Sequence, residues 1–267
     1  MSSRELSFTT KLMRTIAFEK GYEFESLTQN SDHYVITFPD GKRTYGFRSI
    51  TDINTTGSSR TVKSKIATHE FLKKQEYSTI SSVPIYEDMS VGEIEETVQR
   101  LGFPCIIKPN SASQARGITV LEGVDDIPKA LDHARSAETY GIILAQPFIE
   151  GRHVRFMVLD DEVILVYEKP AFWASDYIIE TDLSIHESYK KEIARAVTGL
   201  GLRWGGVDVI IGKDVDIEKP ITKDNYTIVE INSAPTMKRF AELGDSEYQR
   251  VKSWYTIILD GVKQNKS

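Results

Sequence analysis

The chain has 267 residues, which suits one or two domains of ordinary size. Its 33 Lys and Arg against 39 Asp and Glu leave a formal net charge of −6, which argues against a protein that coats nucleic acid or an anionic membrane over a broad basic face. The apolar runs are too short to cross a bilayer, the first residues lack the apolar stretch of a secretory signal, and a single cysteine excludes an intrachain disulfide. These features predict a soluble, cytoplasmic protein that binds neither nucleic acid nor membrane.

The first 60 residues predict a small helix–hairpin segment, residues 1–60. A helix is expected at 9–20, where apolar residues recur at helical spacing. Two alternating runs follow at 33–38 and 42–47, and the Pro-Asp-Gly sequence between them is a strong hairpin signal. The polar, turn-rich stretch 51–60 is predicted to be a connector.

Beyond residue 60 the pattern alternates between helices and strands as far as the C-terminus. Helices are predicted at 63–75, 90–100, 125–138, 186–200 and 246–264, and strands at 104–108, 118–121, 142–146, 152–159, 162–169, 205–211 and 226–231. Helices mixed with hairpins in this order predict an α+β fold in two lobes.

The most informative local pattern is a pair of apolar strands that carry acidic residues. In the second strand the period of two places Glu230 and Asn232 on one face. If the strands form a hairpin whose paired residue numbers sum to about 438, Asp208 lies directly opposite Glu230, which is unfavourable unless a positive charge lies between them. Carboxylate and amide oxygens are the ligands that Mg²⁺ prefers. A solvated hairpin face is the alternative, but the apolar residues around both acids favour a metal site.

A second candidate is the strand that ends at Lys108 and the loop of small and polar residues at 109–117. A lysine beside such a loop can bind phosphates, with backbone N–H groups of the loop as further donors. The loop matches neither a P-loop nor a dinucleotide-binding fingerprint. A lysine that protects an edge strand from aggregation is the alternative.

A third candidate lies between the strands predicted at 142–146 and 152–159. The short link after Gln146 offers backbone hydrogen-bonding groups with apolar flanks, which suits a flat heterocycle, although an ordinary connector explains it equally well. Arg155 and Lys169 are expected at opposite ends of the hairpin that follows, where both could face one pocket. His69, in contrast, is predicted to lie on the surface without a chemical role.

Five pieces in this order resemble the ATP-grasp superfamily of carboxylate–amine ligases: Lys65, GFPCIIKP at 102–109, QPFIEGRHVRF at 146–156, GVDVII at 206–211 and VEINSAP at 229–235. Within the superfamily they are most similar to the branch of glutathione synthetase, cyanophycin synthetase and ribosomal-protein glutamate ligase. The resemblance covers roughly residues 60–240. It implies an ATP-grasp domain over 61–267, in which two α+β subdomains hold ATP and the smaller one, about 79–147, acts as a lid.

The resemblance also implies a role for each site residue. His153 stands where an acidic residue usually contacts the ribose, which is a departure from the family pattern. The implied roles are phosphate binding by Lys65 and Lys108, a phosphate-covering loop with Ser113 and Gly117, an adenine hinge of Gln146, Pro147, Phe148 and Ile149, ribose contact by His153, catalysis by Arg155 and Lys169, and metal binding by Asp208, Glu230 and Asn232. The implied cofactors are ATP and Mg²⁺, with two ions expected and Mn²⁺ as a substitute.

The reaction that the resemblance implies is amide formation through an acyl phosphate, on an amino acid, a peptide or a protein tail. Two alternatives remain open. One is a kinase on the same fold that stops after phosphoryl transfer, and the other is a nucleotide-binding protein without turnover. Relatives carry a larger N-terminal domain, so the resemblance further implies that a second subunit, a partner or the substrate completes the acceptor site.

Overall fold

The computed structural model describes residues 5–29, 31–112, 115–170 and 178–265. The helices are α1 (Phe8–Glu19), α2 (Thr56–Lys63), α3 (Lys65–Lys74), α4 (Val91–Leu101), α5 (Ile127–Ala137), α6 (Glu187–Gly199), α7 (Lys238–Ala241) and α8 (Asp245–Asn265). The strands are β1 (Glu23–Ser26), β2 (His33–Thr37), β3 (Arg43–Phe47), β4 (Val83–Ile85), β5 (Cys105–Pro109), β6 (Thr119–Leu121), β7 (Ile143–Pro147), β8 (Arg152–Leu159), β9 (Glu162–Lys169), β10 (Glu180–Thr181), β11 (Trp204–Ile211) and β12 (Tyr226–Asn232). The predicted α+β class is confirmed.

Within the described residues, the strands form three antiparallel sheets. Their orders are β1-β2-β3, β10-β9-β8-β11-β12 and β4-β7-β5-β6. The five-stranded sheet is covered on both faces, because alternate residues of β8 enter different cores. Val154, Phe156 and Val158 pack with α6, whereas Met157 and Leu159 pack with α1 and α8.

The four-stranded sheet has a core of its own on one face only. Cys105 and Ile107 of β5 are buried against α4 and α5, and burial raises the pKa of the Cys105 thiol. The alternate residues Ile106 and Lys108 are also buried, at 4% exposure each, but they lie outside that core. The face that carries Lys108 is therefore buried by contacts other than those with α4 and α5.

The N-terminal segment is tied to the five-stranded sheet by the side chain of Asn54. Its Nδ2 donates to the carbonyl oxygens of Trp204 and Ser233, at 2.7 and 2.8 Å. Its Oδ1 accepts from the backbone N–H groups of Arg203 and Trp204, at 2.8 and 3.0 Å. This buried amide fastens the segment to the ends of β11 and β12.

The connector predicted at 51–60 is wrong in its second half, because α2 begins at Thr56. The Thr55 side chain accepts a hydrogen bond from the Ser58 N–H and caps the helix. Only Val62 of this helix is buried, so there is no apolar stripe to reveal it. The short elements β1, β4, β10 and α7 were not expected from the sequence either.

In the part of the chain that the structure describes, no helix is long and apolar enough to cross a membrane.

Candidate nucleotide and metal site

The candidate site is built on one row of residues across the five-stranded sheet. Tyr167 of β9 pairs with Arg155 of β8, Arg155 pairs with Asp208 of β11, and Asp208 pairs with Glu230 of β12. Directly paired residues share a face of the sheet, so these side chains point the same way. The expected pairing of Asp208 with Glu230 is present.

The register of the β11–β12 hairpin shifts immediately after that pair. Val209 lies opposite Ile228, so Val229 is the additional residue of a β-bulge. Its carbonyl oxygen lies 2.9 Å from Nε2 of His69 on α3. The bulge therefore links the strand that carries Glu230 to α3.

The Asp208 carboxylate is held by two cations. Arg155 donates to its two oxygens at 2.8 and 2.5 Å, and Lys169 lies 2.8 Å away. Burial raises the pKa of Asp208, but Arg155 and Lys169 outweigh it and hold the pKa well below its usual range. Arg155 and Lys169 were expected at opposite ends of the hairpin, which is wrong. Lys169 pairs with His153, which lies two residues before Arg155 on β8. Both cations therefore lie near the open end of the β8–β9 hairpin, away from its turn.

Lys65, the first residue of α3, is 5% exposed. Its ammonium donates to the carbonyl oxygen of Ala112 at 2.6 Å and to that of Asn110 at 3.4 Å, and lies 3.8 Å from the Glu230 carboxylate. The Asn110 side chain in turn accepts from the Ile66 N–H at 2.9 Å. The start of α3 and the loop after β5 are thereby joined next to Glu230.

Lys108 brings a further cation to the same place from the four-stranded sheet. Burial lowers its pKa to about 8, with Lys65 acting in the same direction and Glu230 and Asp208 opposing it. The site thus joins Lys65, Lys108, Arg155 and Lys169 with two carboxylates. Among the residues that the structure describes here, these four cations exceed the two carboxylates by two formal charges.

The loop predicted to cover the phosphates is anchored at its start by Glu138. This carboxylate accepts from the N–H and the hydroxyl of Ser111, at 2.9 and 2.7 Å. Ser113 lies outside the described residues. Gly117 has φ +73°, and a Cβ there would lie 2.9 Å from that of Ala137. The backbone and this close approach therefore both require glycine at 117.

The predicted adenine hinge begins in the strand β7. Gln146 is fully buried, and its Nε2 donates to the Ser82 hydroxyl at 2.6 Å. Pro147 has no N–H, and the Phe148 N–H is donated to the carbonyl of Pro104 at 3.1 Å. Ile149 is half-buried. Of the hinge N–H groups after β7, that of Phe148 is therefore already used within the protein.

Two histidines lie at the site: His69, which the sequence placed on the surface, and His153, which was predicted to contact the ribose. His69 is 3% exposed, so its predicted surface location is wrong. It lies one helical turn after Lys65, and that spacing of four was the signal available in the sequence. His153 pairs with Lys169, and burial, reinforced by Lys169, lowers the pKa of its imidazole. It sits beside the cations, where its ribose contact stays a prediction.

The chemistry of the predicted metal ligands fits a hard cation. Asp208, Glu230 and Asn232 offer only oxygen donors from one end of the hairpin, and the two carboxylate side chains keep 16% and 25% exposure. Within the described residues, no group of three or more His, Cys, Asp and Glu side chains could hold a metal ion. A metal here would therefore need the Asn232 amide, water or a ligand oxygen to complete its coordination.

A site to which two antiparallel sheets both contribute charged residues is typical of the ATP-grasp class, and comparison with known proteins agrees. Residues 62–248 match the RimK-like ATP-grasp domain, and the chain belongs to this family. The ATP-grasp fold and the resemblance from which it was inferred are both confirmed.

Two curated relatives are D-alanine–D-alanine ligases. That of Mannheimia succiniciproducens is 27% identical over 157 residues, which cover 53% of this chain and 48% of the relative. That of Thermotoga petrophila is 30% identical over 198 residues, covering 67% and 59%. The chain spans about half the length of the first of these relatives.

Solved structures agree on the fold. A bifunctional glutathione synthetase from Pasteurella multocida aligns with a TM-score of 0.58 at 20% identity, over 94% of this chain and 44% of that one. The ATP-grasp ligase PsnB, complexed with minimal precursor, Mg and ADP, aligns with a TM-score of 0.56 at 21% identity, over 79% and 62%.

Proposed function

We propose that this protein is an ATP-dependent carboxylate–amine ligase that forms an amide through an acyl phosphate. The observation that carries the proposal is the excess of positive charge at the site. Lys65, Lys108, Arg155 and Lys169 surround Asp208 and Glu230. Such a cluster suits the anionic magnesium complex of a nucleoside triphosphate, whose transferred phosphoryl group needs fixed positive charge.

The nucleotide is proposed to lie between the two larger sheets. Gln146, Pro147, Phe148 and Ile149 bind the base, and His153 lies towards the ribose. Lys65, Lys108 and the loop containing Ser113 and Gly117 bind the phosphates. The four-stranded sheet with α4 and α5 is the proposed lid, about residues 79–147 of a domain over 61–267 that follows the segment 1–60. The separate core of that sheet supports its movement as one body.

Magnesium would be held by Asp208, Glu230 and Asn232, and when bound it neutralises charge on the phosphate oxygens. The proposal includes two ions, with Mn²⁺ as a substitute. Asp208 has a second function that needs no metal, since it orients Arg155 and Lys169 by the ion pairs described above.

The proposed reaction has two steps. An oxygen of the substrate carboxylate attacks the γ-phosphorus of ATP, the bond to the β–γ bridging oxygen breaks, and ADP leaves. The amine nitrogen then attacks the acyl carbon, the bond to the phosphate oxygen breaks, and an amide, inorganic phosphate and a proton result. Arg155 and Lys169 hold positive charge beside the phosphoryl group in the first step. Closure of the lid excludes water from the acyl phosphate.

The proposed substrates are small-molecule or peptide carboxylates and amines. This class is supported by the names of the relatives, which include D-alanine–D-alanine ligase and a PsnB complex with its precursor. A reducing, cytoplasmic location is part of the proposal, and it is supported by the single buried cysteine.

The test is a screen of purified protein with ATP, Mg²⁺ and a matrix of amino acids and short peptides. ADP and phosphate are measured, and products are identified by mass. The proposal expects one amide per ADP for at least one pair of substrates. A stable phosphorylated product with one substrate alone would identify a kinase instead. Nucleotide binding without ADP release across an extended matrix would identify a binding protein and contradict the proposal.

A further inference from the structure

A chain of hydrogen bonds runs from the β-bulge to the predicted base-binding hinge. His69 Nε2 lies 2.9 Å from the carbonyl oxygen of Val229, and His69 Nδ1 lies 2.7 Å from the Ser82 hydroxyl. Gln146 Nε2 lies 2.6 Å from that same hydroxyl. At the end of this chain, the Gln146 Oε1 atom is buried and makes no hydrogen bond with any residue that the structure describes.

The Val229 carbonyl determines the direction of every hydrogen bond in this chain. A carbonyl oxygen only accepts, so His69 must carry a hydrogen on Nε2. Burial lowers the pKa of His69 to about 4, so its imidazole is neutral near pH 7 and Nδ1 is an acceptor. The Ser82 hydroxyl therefore donates its one hydrogen to His69. It can only accept from Gln146, so the amide must turn its NH₂ to Ser82.

The location of Gln146 connects this chain to the phosphate-binding cations. Ile106 pairs with Gln146 in the four-stranded sheet, and Lys108 lies two residues further along β5, so all three share the face that lies outside the core of that sheet. His69 in turn lies close enough to Lys108 and Lys65 for both to lower its pKa. Gln146 is therefore at the hinge end of the same site.

We propose that His69 and Ser82 are positioning residues that hold Gln146 with its Oε1 available to accept a hydrogen bond from the 6-amino group of an adenine nucleotide. A purine with an oxygen at position 6 would place that acceptor against Oε1 of Gln146, which is also an acceptor. The hydrogen bonds from His69 through Ser82 prevent the amide from rotating to present its NH₂ instead. Buried polar groups left unpaired are costly, which makes such a site selective. The inference rests on the proposed function for nucleotide binding, and it adds how the base is chosen.

The test measures dissociation constants for ATP and for inosine triphosphate, with Mg²⁺ and without other substrates, by calorimetry. Inosine triphosphate carries an oxygen where ATP carries the 6-amino group. The wild type is expected to favour ATP by about tenfold or more. Ser82→Ala frees the amide to rotate, so inosine triphosphate should bind about five to tenfold more tightly while ATP binding changes little.

The matched control is Ser78→Ala. Ser78 lies, like Ser82, in the segment between α3 and β4, and its hydroxyl donates to the Tyr226 carbonyl at 2.7 Å. A loss of selectivity that merely reflected a loosened segment would appear in this variant as well. Ser82→Thr keeps the hydroxyl and should keep the preference for ATP. Thermal unfolding of each variant shows that the comparison is made on folded protein.

Gln146→Glu gives a second, independent readout. Both oxygens of a carboxylate accept, so the relay has no orientation left to impose. In that background, adding Ser82→Ala should leave the preference for ATP unchanged.

An unchanged ATP preference in Ser82→Ala, or equal losses in Ser82→Ala and Ser78→Ala, would overturn the inference, as would a wild type that does not distinguish the two nucleotides. A wild type that binds neither nucleotide would instead contradict the proposed function, so the two failures are distinguishable.

Discussion

Arg155 on β8 donates two hydrogen bonds to Asp208 on the neighbouring strand β11, at 2.8 and 2.5 Å. The two residues are direct partners in the sheet, so the backbone itself brings the guanidinium to the carboxylate. Lys169 reaches the same carboxylate from β9. A predicted metal ligand is thus also the group that orients both predicted catalytic cations.

Arg155→Lys should lower the rate of phosphoryl transfer by tenfold or more while ATP still binds. An ammonium cannot reproduce the two-point contact of the guanidinium with the Asp208 carboxylate. ADP release and ATP affinity measured on the same preparation separate these two effects. Arg152→Lys is the control, because Arg152 on the same strand also donates two hydrogen bonds to a carboxylate of a neighbouring strand, both of them to one oxygen of Glu168 on β9. Equal losses in both variants would contradict a special role for Arg155.

Glu230→Ala should abolish ATP turnover and leave the fold intact. The variant removes one of the two proposed carboxylate ligands and leaves Lys65 without the acid that lies 3.8 Å away. ADP release is measured across a magnesium titration, and thermal unfolding checks the fold. Glu162→Ala, at the exposed start of β9, is the control and should keep wild-type turnover. Turnover that survives in Glu230→Ala would refute the metal assignment.

ATP affinity should weaken as the pH rises above about 8. Burial lowers the pKa of Lys108 to about 8 in the free protein. Its amino group therefore carries a positive charge below that pH and loses the charge above it. Only the charged form attracts phosphate, so ATP binding should raise the pKa of Lys108 and take up a proton near pH 8. Calorimetry in buffers of different ionisation enthalpy measures that uptake. Lys108→Arg stays charged and should show no such uptake; the same uptake in both proteins would assign it to another group.

Glu138→Gln should loosen the loop after β5 and raise the KM for ATP. The carboxylate accepts two hydrogen bonds from Ser111 and further ones from the backbone N–H groups of Thr139 and Tyr140, at 2.9 and 2.8 Å. An amide replaces one acceptor oxygen by a donor, which costs about 1–2 kcal/mol of local stability. Amide hydrogen exchange within 109–117 measures the loosening.

The stabilising effect of Glu138 should also depend on pH. Although burial raises its pKa, the hydrogen bonds from Tyr140 and Ser111 hold the pKa below the ordinary value of 4.5. The stabilisation is therefore complete above pH 4.5 and is lost as the pH falls through the lowered pKa of the folded state. The difference in unfolding temperature between the wild type and Glu138→Gln should accordingly shrink on acidification. A difference independent of pH between 3 and 7 would contradict this explanation.

The sequence was informative wherever local periodicity reports burial. Alternation along β12 placed Glu230 and Asn232 on one face, but it paired Asp208 with Glu230 only on the condition of one register. The structure shows that register. The sequence pattern did not reveal the bulge at Val229, since an additional residue in one strand leaves the apolar pattern almost unchanged. It also missed α2, whose single buried residue leaves no stripe.

The sequence by itself determined the family, the α+β class and the order of the charged positions, because these depend on residue types and on spacing along the chain. Only the tertiary structure decided which charges meet and which atoms remain without a partner. The imidazole of His69 is an example: along the chain, one of its hydrogen-bond partners is 13 residues away and the other is 160 residues away. The spacing of four within α3 puts His69 on the same face as Lys65 but does not specify these two partners, so the protonation of His69 and the orientation of Gln146 follow from packing between distant segments.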